Sequence, residues 1–222
     1  MPTHTRKGKK PVAARPESGS PEDGEIIFFF MPNAKYGEFC QWYPAQFAVS
    51  KANIRNVVEN HDTALLPEDS EYVQFGCAEQ FMMYCKAARF GDTDSQRKVL
   101  ATDSPKEQKR LGKLTAGFTD DSWDKVKSEV VELGNMAKFG QNAALGRKLL
   151  ATGEKRLCEA ASKDRVWGIG FAAHRALPMR RFWGENRLGK ALMAVRERLR
   201  QVEEEANPYR SEDIGEDADA AE

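Results

Sequence analysis

The segment that most restricts what this chain can become is Cys77 to Phe90, fourteen residues that predict a helix. At about 100° per residue, Met82, Met83 and Phe90 gather on one side, and Phe81, Tyr84, Cys85 and Ala88 on the other. A helix that is apolar nearly all round belongs in an interior, so other elements must cover it from several directions. Two charges sit on it. Glu79 and Lys86 are two turns apart and within roughly 20° of one line along the helix. Their seven-residue spacing exceeds the three or four residues of a direct helical ion pair. A carboxylate and an ammonium in a low-dielectric site are paired, shifted in pKa, or both. If they face a cleft, they are candidates for acid, base or nucleophile; if not, they form a structural ion pair.

The bulk numbers set the frame for that helix. At 222 residues the chain has room for one compact core. Residues 1–23 carry Arg6, Lys7, Lys9, Lys10 and Arg15 among Pro, Gly, Ser and Thr, and read as a disordered basic tail. Residues 204–222 read as an acidic disordered tail, leaving 24–203 as the domain. Lys+Arg and Asp+Glu both number 34, so no global charge draws the protein to nucleic acid or membrane. Cys40, Cys77, Cys85 and Cys158 are scattered without a CxxC pair, and no apolar run approaches the length of a membrane span. The expectation is reduced thiols in an intracellular, cytoplasmic protein, with the nucleus as the alternative compartment.

Around the central helix, the patterning predicts an α+β fold, mostly α, with a small sheet and several packed helices. Ile26 to Phe30, Gln46 to Val49, Tyr72 to Phe75 and 156–160 read as strands. Lys51 to Tyr72 lacks periodicity and reads as an irregular loop. Ser104 with Pro105 starts one helix. Ser122 caps another through Trp123, Val126, Val130, Leu133 and Met136 to Phe139. Gln141 to Thr152 is a further helix closed by Gly153. Asn186 to about Glu204 is the last, burying Leu188, Leu192, Val195 and Leu199.

Two further signals point to a ligand. Trp167 lies in Asp164-Arg165-Val166-Trp167-Gly168-Ile169-Gly170, a glycine-flanked loop from which an indole can stack on a flat base at about 1–3 kcal/mol. Trp123 is the second candidate platform, with ordinary core packing as its alternative. Asn186 opens the last helix as an N-cap or as a contact to sugar or phosphate. There is no Walker phosphate loop, no GxGxxG, no HExxH and no serine nucleophile elbow. His4, His61 and His174 stand in a tail, a loop and a basic stretch, so neither a metal nor a cofactor is expected.

Taken together, these segments resemble the NADAR family, also called YbiA-like, from about Ile26 to Leu199. The matching motifs are Phe28-Phe29-Phe30, Tyr36-Gly37-Glu38-Phe39, Glu79 with Lys86, Trp123, Lys138-Phe139, Leu149 to Gly153, Asp164 with Trp167-Gly168, and Gly184 to Met193. The sequence departs from the family at Gln80, where the family has His, and at Cys40-Gln41-Trp42, where it has Ser-Asn-Phe. Phe171 to Trp183, with His174, Arg175, Arg180 and Arg181, and the loop from Lys51 to Tyr72 look longer than in compact members, and such insertions reshape the mouth of a site.

The resemblance implies an N-glycosidase. The preferred substrate is ADP-ribose attached to guanine, free or on DNA or RNA. The alternatives are phosphorylated riboflavin-pathway intermediates and a non-catalytic ADP-ribose-binding module. Glu79 is expected to stabilise positive charge on the sugar and shuttle the proton, and Lys86 to be the nucleophile, with Lys35 as the rival amine. Trp123 and Trp167 are expected to stack, Asp164 to hold a ribose hydroxyl, and Asn186 to meet sugar or phosphate. Tyr36, Gly37, Phe39 and Gly168 complete the expected substrate-binding set.

Overall fold

In the computed structural model, which describes residues 26–207, the expected central helix is α2 (Ala78–Arg89), with every residue from Ala78 to Ala88 buried. It is packed by α3 (Thr93–Leu100), α4 (Pro105–Gly112) and α5 (Asp120–Gln141). Two glycines permit the close approach. A Cβ on Gly134 of α5 would stand 2.4 Å from the Phe81 ring, and one on Gly112 of α4 would stand 2.1 Å from the Met83 sulfur. Either contact is far inside van der Waals distance, so a larger residue would push its helix off α2.

The strands form two separate ribbons, not one small sheet. β1 (Ile26–Phe29) pairs in parallel with β4 (Arg156–Glu159), whereas β2 (Phe47–Ser50) and β3 (Tyr72–Phe75) are antiparallel. A parallel pair needs a long crossover, and the helices between β1 and β4 supply it. This delivers Glu159, the last residue of β4, beside Phe29 of β1.

Local capping accounts for the differences from the expected boundaries. The Ser50 hydroxyl accepts from the Asn53 N–H and starts α1 (Lys51–Val57) where a loop was expected, with Ile54 and Val58 fully buried beneath it. Asp92 likewise caps α3, which the sequence reading missed. α5 begins at Asp120 because Thr119, not Ser122, is the N-cap: Ser122 supplies the N–H that the Thr119 hydroxyl accepts. A break at Asn142 separates α5 from α6 (Ala143–Leu150), so Gln141 closes one helix and does not open the next. Gly153 has φ +57°, the left-handed geometry expected after that helix.

A short helix, α7 (Ala173–Ala176), runs into a 3-10 stretch at Leu177–Phe182 before α8 (Arg187–Ala206). α8 buries Leu188, Leu192, Val195 and Leu199 along α5, as its periodicity predicts. The expected basic tail lies outside the described residues. So does the expected acidic tail, except that 204–206 continue α8. No helix among the described residues is long and apolar enough to cross a membrane.

Candidate active site

Glu79 occupies the first turn of α2 and Lys86 its last, with 5% and 9% of their surfaces exposed. Both line one cleft of about 750 Å³, a volume that suits a nucleotide-sized ligand. Met82 and Met83 share their wall. Lys109 and Gly112 of α4 form the next, Asp120, Trp123 and Lys127 of α5 a third, and Glu159 with the loop from Ala161 to Trp167 a fourth.

Burial raises the pKa of Glu79. The Lys109 charge and a hydrogen bond from the Trp42 side chain oppose that rise, and Asp164 adds to it. The loop carrying Trp42 is fixed from two sides. The Glu79 N–H donates to the Gln41 carbonyl at 3.0 Å. From α5, Lys138 Nζ donates to the Glu38 and Cys40 carbonyls at 2.8 and 3.0 Å, and Asn135 Nδ2 donates to Gln41 Oε1 at 2.9 Å. Lys138 has no exposed surface, and burial lowers its pKa to about 8.

Lys86 Nζ stands 3.6 Å from the centre of the Phe118 ring, a cation–π contact. Burial lowers its pKa, Asp120 works against the shift, and Lys113 reinforces it. The charges acting on Lys86 therefore differ from those acting on Glu79, and the two side chains do not pair with each other.

The fourth wall is held by hydrogen bonds from its own chain. Asp164 Oδ1 accepts from the Val166 and Trp167 N–H groups at 2.9 and 2.8 Å, which bends the loop and presents the half-buried Trp167. The N–H groups of Glu185, Arg187 and Leu188 donate to the carbonyls of Arg165, Val166 and Trp167. Asn186, at φ +54° and 2% exposed, accepts from the Glu159 N–H at 3.0 Å and donates to the Leu157 carbonyl at 2.9 Å.

Of the residues expected at the site, Glu79, Lys86, Trp123, Asp164 and Trp167 come together in the cleft; the other six do not line it. Lys35 is exposed, with its Nζ 5.0 Å over the Tyr36 ring. Tyr36 stacks on Phe39, which is 1% exposed core. Gly37 and Gly168 lie against backbone: an added Cβ would stand 2.2 Å from the Pro32 carbonyl oxygen and 2.7 Å from that of Glu159. Asn186 makes no side-chain cap, because its amide is committed to β4. Gly37, Phe39, Gly168 and Asn186 are thus buried in the frame around the cleft, and Lys35 stands outside it.

The second of the insertions expected at the mouth stands behind it: Arg165 Nη2, on the lining, donates to the Phe182 carbonyl at 2.7 Å, and its guanidinium lies 6.0 Å over the Phe171 ring. Neither 51–72 nor 171–183 contributes to the lining, and the cationic rim is instead Lys109, Lys113, Lys163 and Arg165. Gln80, at the position of the family's His, is turned into packing: Nε2 donates to the Val99 and Thr102 carbonyls and Oε1 accepts from Gly76 N–H. Trp42, Lys109 and Glu159 are among the cleft residues that the sequence reading did not assign to the site. Glu159 was traceable as the polar residue ending the strand that leads into the Trp167 loop, whereas nothing in the local sequence points Lys109 inward. Among the described residues, no group of three or more His, Cys, Asp or Glu side chains is arranged to hold a metal ion.

Residues 28–200 match the NADAR domain model. The chain belongs to the NADAR family. A relative in this family, N-glycosidase R617 of Acanthamoeba polyphaga mimivirus, is 34% identical over 185 residues, covering 81% of this chain and 99% of its own. The Riboflavin biosynthesis protein VVA0006 of Vibrio vulnificus strain YJ016 is 29% identical over 175 residues, which cover 79% of this chain and 39% of that protein. The solution NMR structure of Escherichia coli YbiA superimposes with a TM-score of 0.58 at 25% identity, over 80% of this chain and 86% of that one. The α+β, mostly helical architecture is thus the NADAR fold.

Proposed function

We propose that this NADAR protein is a hydrolase of N-glycosyl compounds that removes ADP-ribose from guanine bases. The observation that carries the reading is that a buried carboxyl and a buried amine, Glu79 and Lys86, face one cleft without pairing. Cleaving a ribosyl–nitrogen bond builds positive charge on the sugar, and an anion in a water-poor wall stabilises it. Glu79 supplies that anion, with the Trp42 indole and Lys109 favouring its charged form.

Lys86 is the amine that replaces the base at the anomeric carbon before water frees the sugar. Its lowered pKa enlarges the unprotonated, nucleophilic fraction. Trp123 and Trp167 offer flat faces to the bases. Asp164 meets a ribose hydroxyl through the oxygen its loop does not use. Lys109, Lys113, Lys163 and Arg165 at the rim suit the diphosphate.

The name of the Vibrio relative supports a second substrate class, phosphorylated ribosylamino-pyrimidines of riboflavin synthesis. One experiment ranks the readings. The protein is incubated with ADP-ribosyl-guanosine, with the same group on guanine in DNA or RNA, and with the riboflavin intermediate, and products are followed by mass spectrometry. Free ADP-ribose and intact guanine base are expected. Release from the riboflavin intermediate alone moves the assignment to that class, and binding without release marks a non-catalytic reader.

A further inference from the structure

A second carboxyl, that of Glu159, opens on the same cleft. Glu159 ends β4, and its backbone is fixed on both sides: its N–H donates to Asn186 Oδ1 at 3.0 Å and its carbonyl accepts from the Ile169 N–H at 2.9 Å. A side chain on so rigid a stem is held in place for whatever enters the cleft. Its Oε2 is shielded from solvent and has no hydrogen-bond partner. Shielded oxygens of this kind are uncommon in folded proteins, where the large majority find a donor. An unpartnered oxygen is better tolerated on a neutral acid than on a carboxylate, since only the ionised form needs donors at both oxygens.

The charges facing Glu159 favour the same state. Asp164 on the following loop and Glu79 on α2 are like charges, Lys109 on α4 is the opposing cation, and the buried Cys40 thiol adjoins the group. Desolvation is the largest influence, and the carboxyl is pushed up to about 7. Glu79 differs in having a donor, the Trp42 indole. Burial raises both carboxyls, and the Trp42 donor favours charge on Glu79 where Glu159 Oε2 has no donor, an asymmetry suited to paired anion and acid roles.

We propose that Glu159 is a catalytic residue, the acid that protonates the departing base while Glu79 stays ionised against the sugar. This rests on the N-glycosidase reading. As the bond between the anomeric carbon and the base nitrogen breaks, its electron pair stays on nitrogen, which takes the Glu159 proton. The incoming nucleophile, Lys86 Nζ or water, forms its bond to the anomeric carbon and releases one proton to the Glu159 carboxylate. The acid is restored, and hydrolysis of any lysine adduct consumes one water.

The test compares wild type, Glu159→Gln and Glu159→Asp in kcat/KM from pH 5 to 9 on ADP-ribosyl-guanosine, with ADP-ribose binding and circular dichroism as checks on folding. For wild type, the rate is expected to fall above about pH 7. Glu159→Gln, which keeps the size and shape of the side chain but transfers no proton, is expected to lose at least about 100-fold and the alkaline limb with it. Glu159→Asp is expected to keep the limb at reduced rate, and it answers the question if the Gln variant does not fold. Wild-type turnover with Glu159→Gln within a few-fold and the limb intact, or Glu159→Asp without a limb, overturns the role of Glu159 alone. Wild type inert on every N-glycoside removes the N-glycosidase reading and this proposal together.

Discussion

Glu79 and Lys86 stand at opposite ends of α2, open onto the same cleft, and answer to different neighbours: Trp42, Lys109 and Asp164 for the first, Phe118, Asp120 and Lys113 for the second. An ion pair would have neutralised both and closed the space between them. Held apart, both remain open to the cleft. The cost of burying them is met by the rest of α2, which is apolar on all sides and packed by three helices.

If Lys86 attacks the sugar, the adduct passes through an imine that borohydride reduces to a stable amine. Peptide mapping after turnover in borohydride is expected to place the added mass on the peptide containing Lys86. Mass on Lys35 transfers the role to that exposed amine. No added mass on any lysine assigns the attack to water.

The Asn186 side chain serves the scaffold, so its loss is expected to appear first as instability. Asn186→Ala leaves the Leu157 carbonyl and the Glu159 N–H without their buried partner, at about 2–6 kcal/mol for the two groups. Urea denaturation is expected to show that loss, while ADP-ribose affinity per folded molecule changes little. A variant of normal stability whose affinity falls tenfold or more returns Asn186 to the substrate-contact role.

Lys138 gives stability a pH dependence of known sign. Its pKa is about 8 folded, against about 10.5 in an exposed chain, so between these values the unfolded state binds more protons and stability rises with pH. The full effect is on the order of 3 kcal/mol. Cys40 and Cys158, raised to about 11, act in the opposite direction over an overlapping range. The difference between wild type and Lys138→Met cancels Cys158, and below about pH 9, where Cys40 is a thiol in both folded and unfolded chains, it reports Lys138 alone. Wild type is expected to gain on the variant from pH 8 to 10.5, and parallel stability curves contradict the account.

The sequence was most legible where one physical demand dominated. An apolar-all-round helix at 77–90 had to be central, and α8 had to lay Leu188, Leu192, Val195 and Leu199 on a neighbour. The short capped helices were harder. α1 and α3 are each short and start at one side-chain acceptor, the Ser50 hydroxyl and the Asp92 carboxylate. The parallel pairing of β1 with β4 is a long-range contact that no local pattern encodes, and it brings Glu159 into the cleft. At the site, the motif positions divided by role: Glu79, Lys86, Trp123, Asp164 and Trp167 face the ligand space, while Tyr36, Gly37, Phe39, Gly168 and Asn186 shape the frame. A linear motif does not separate these classes, because spacing along the chain does not say which side chains the tertiary fold turns into the cleft.

The most direct test of the central claim is single-turnover cleavage of ADP-ribosyl-guanosine by wild type and Glu79→Gln at equal, saturating enzyme. Wild type is expected to release the base, and the Gln variant, folded and binding ADP-ribose normally, to do so at least about 100-fold more slowly. Equal rates for the two proteins contradict the account, because the buried charge at Glu79 would then play no part in breaking the bond.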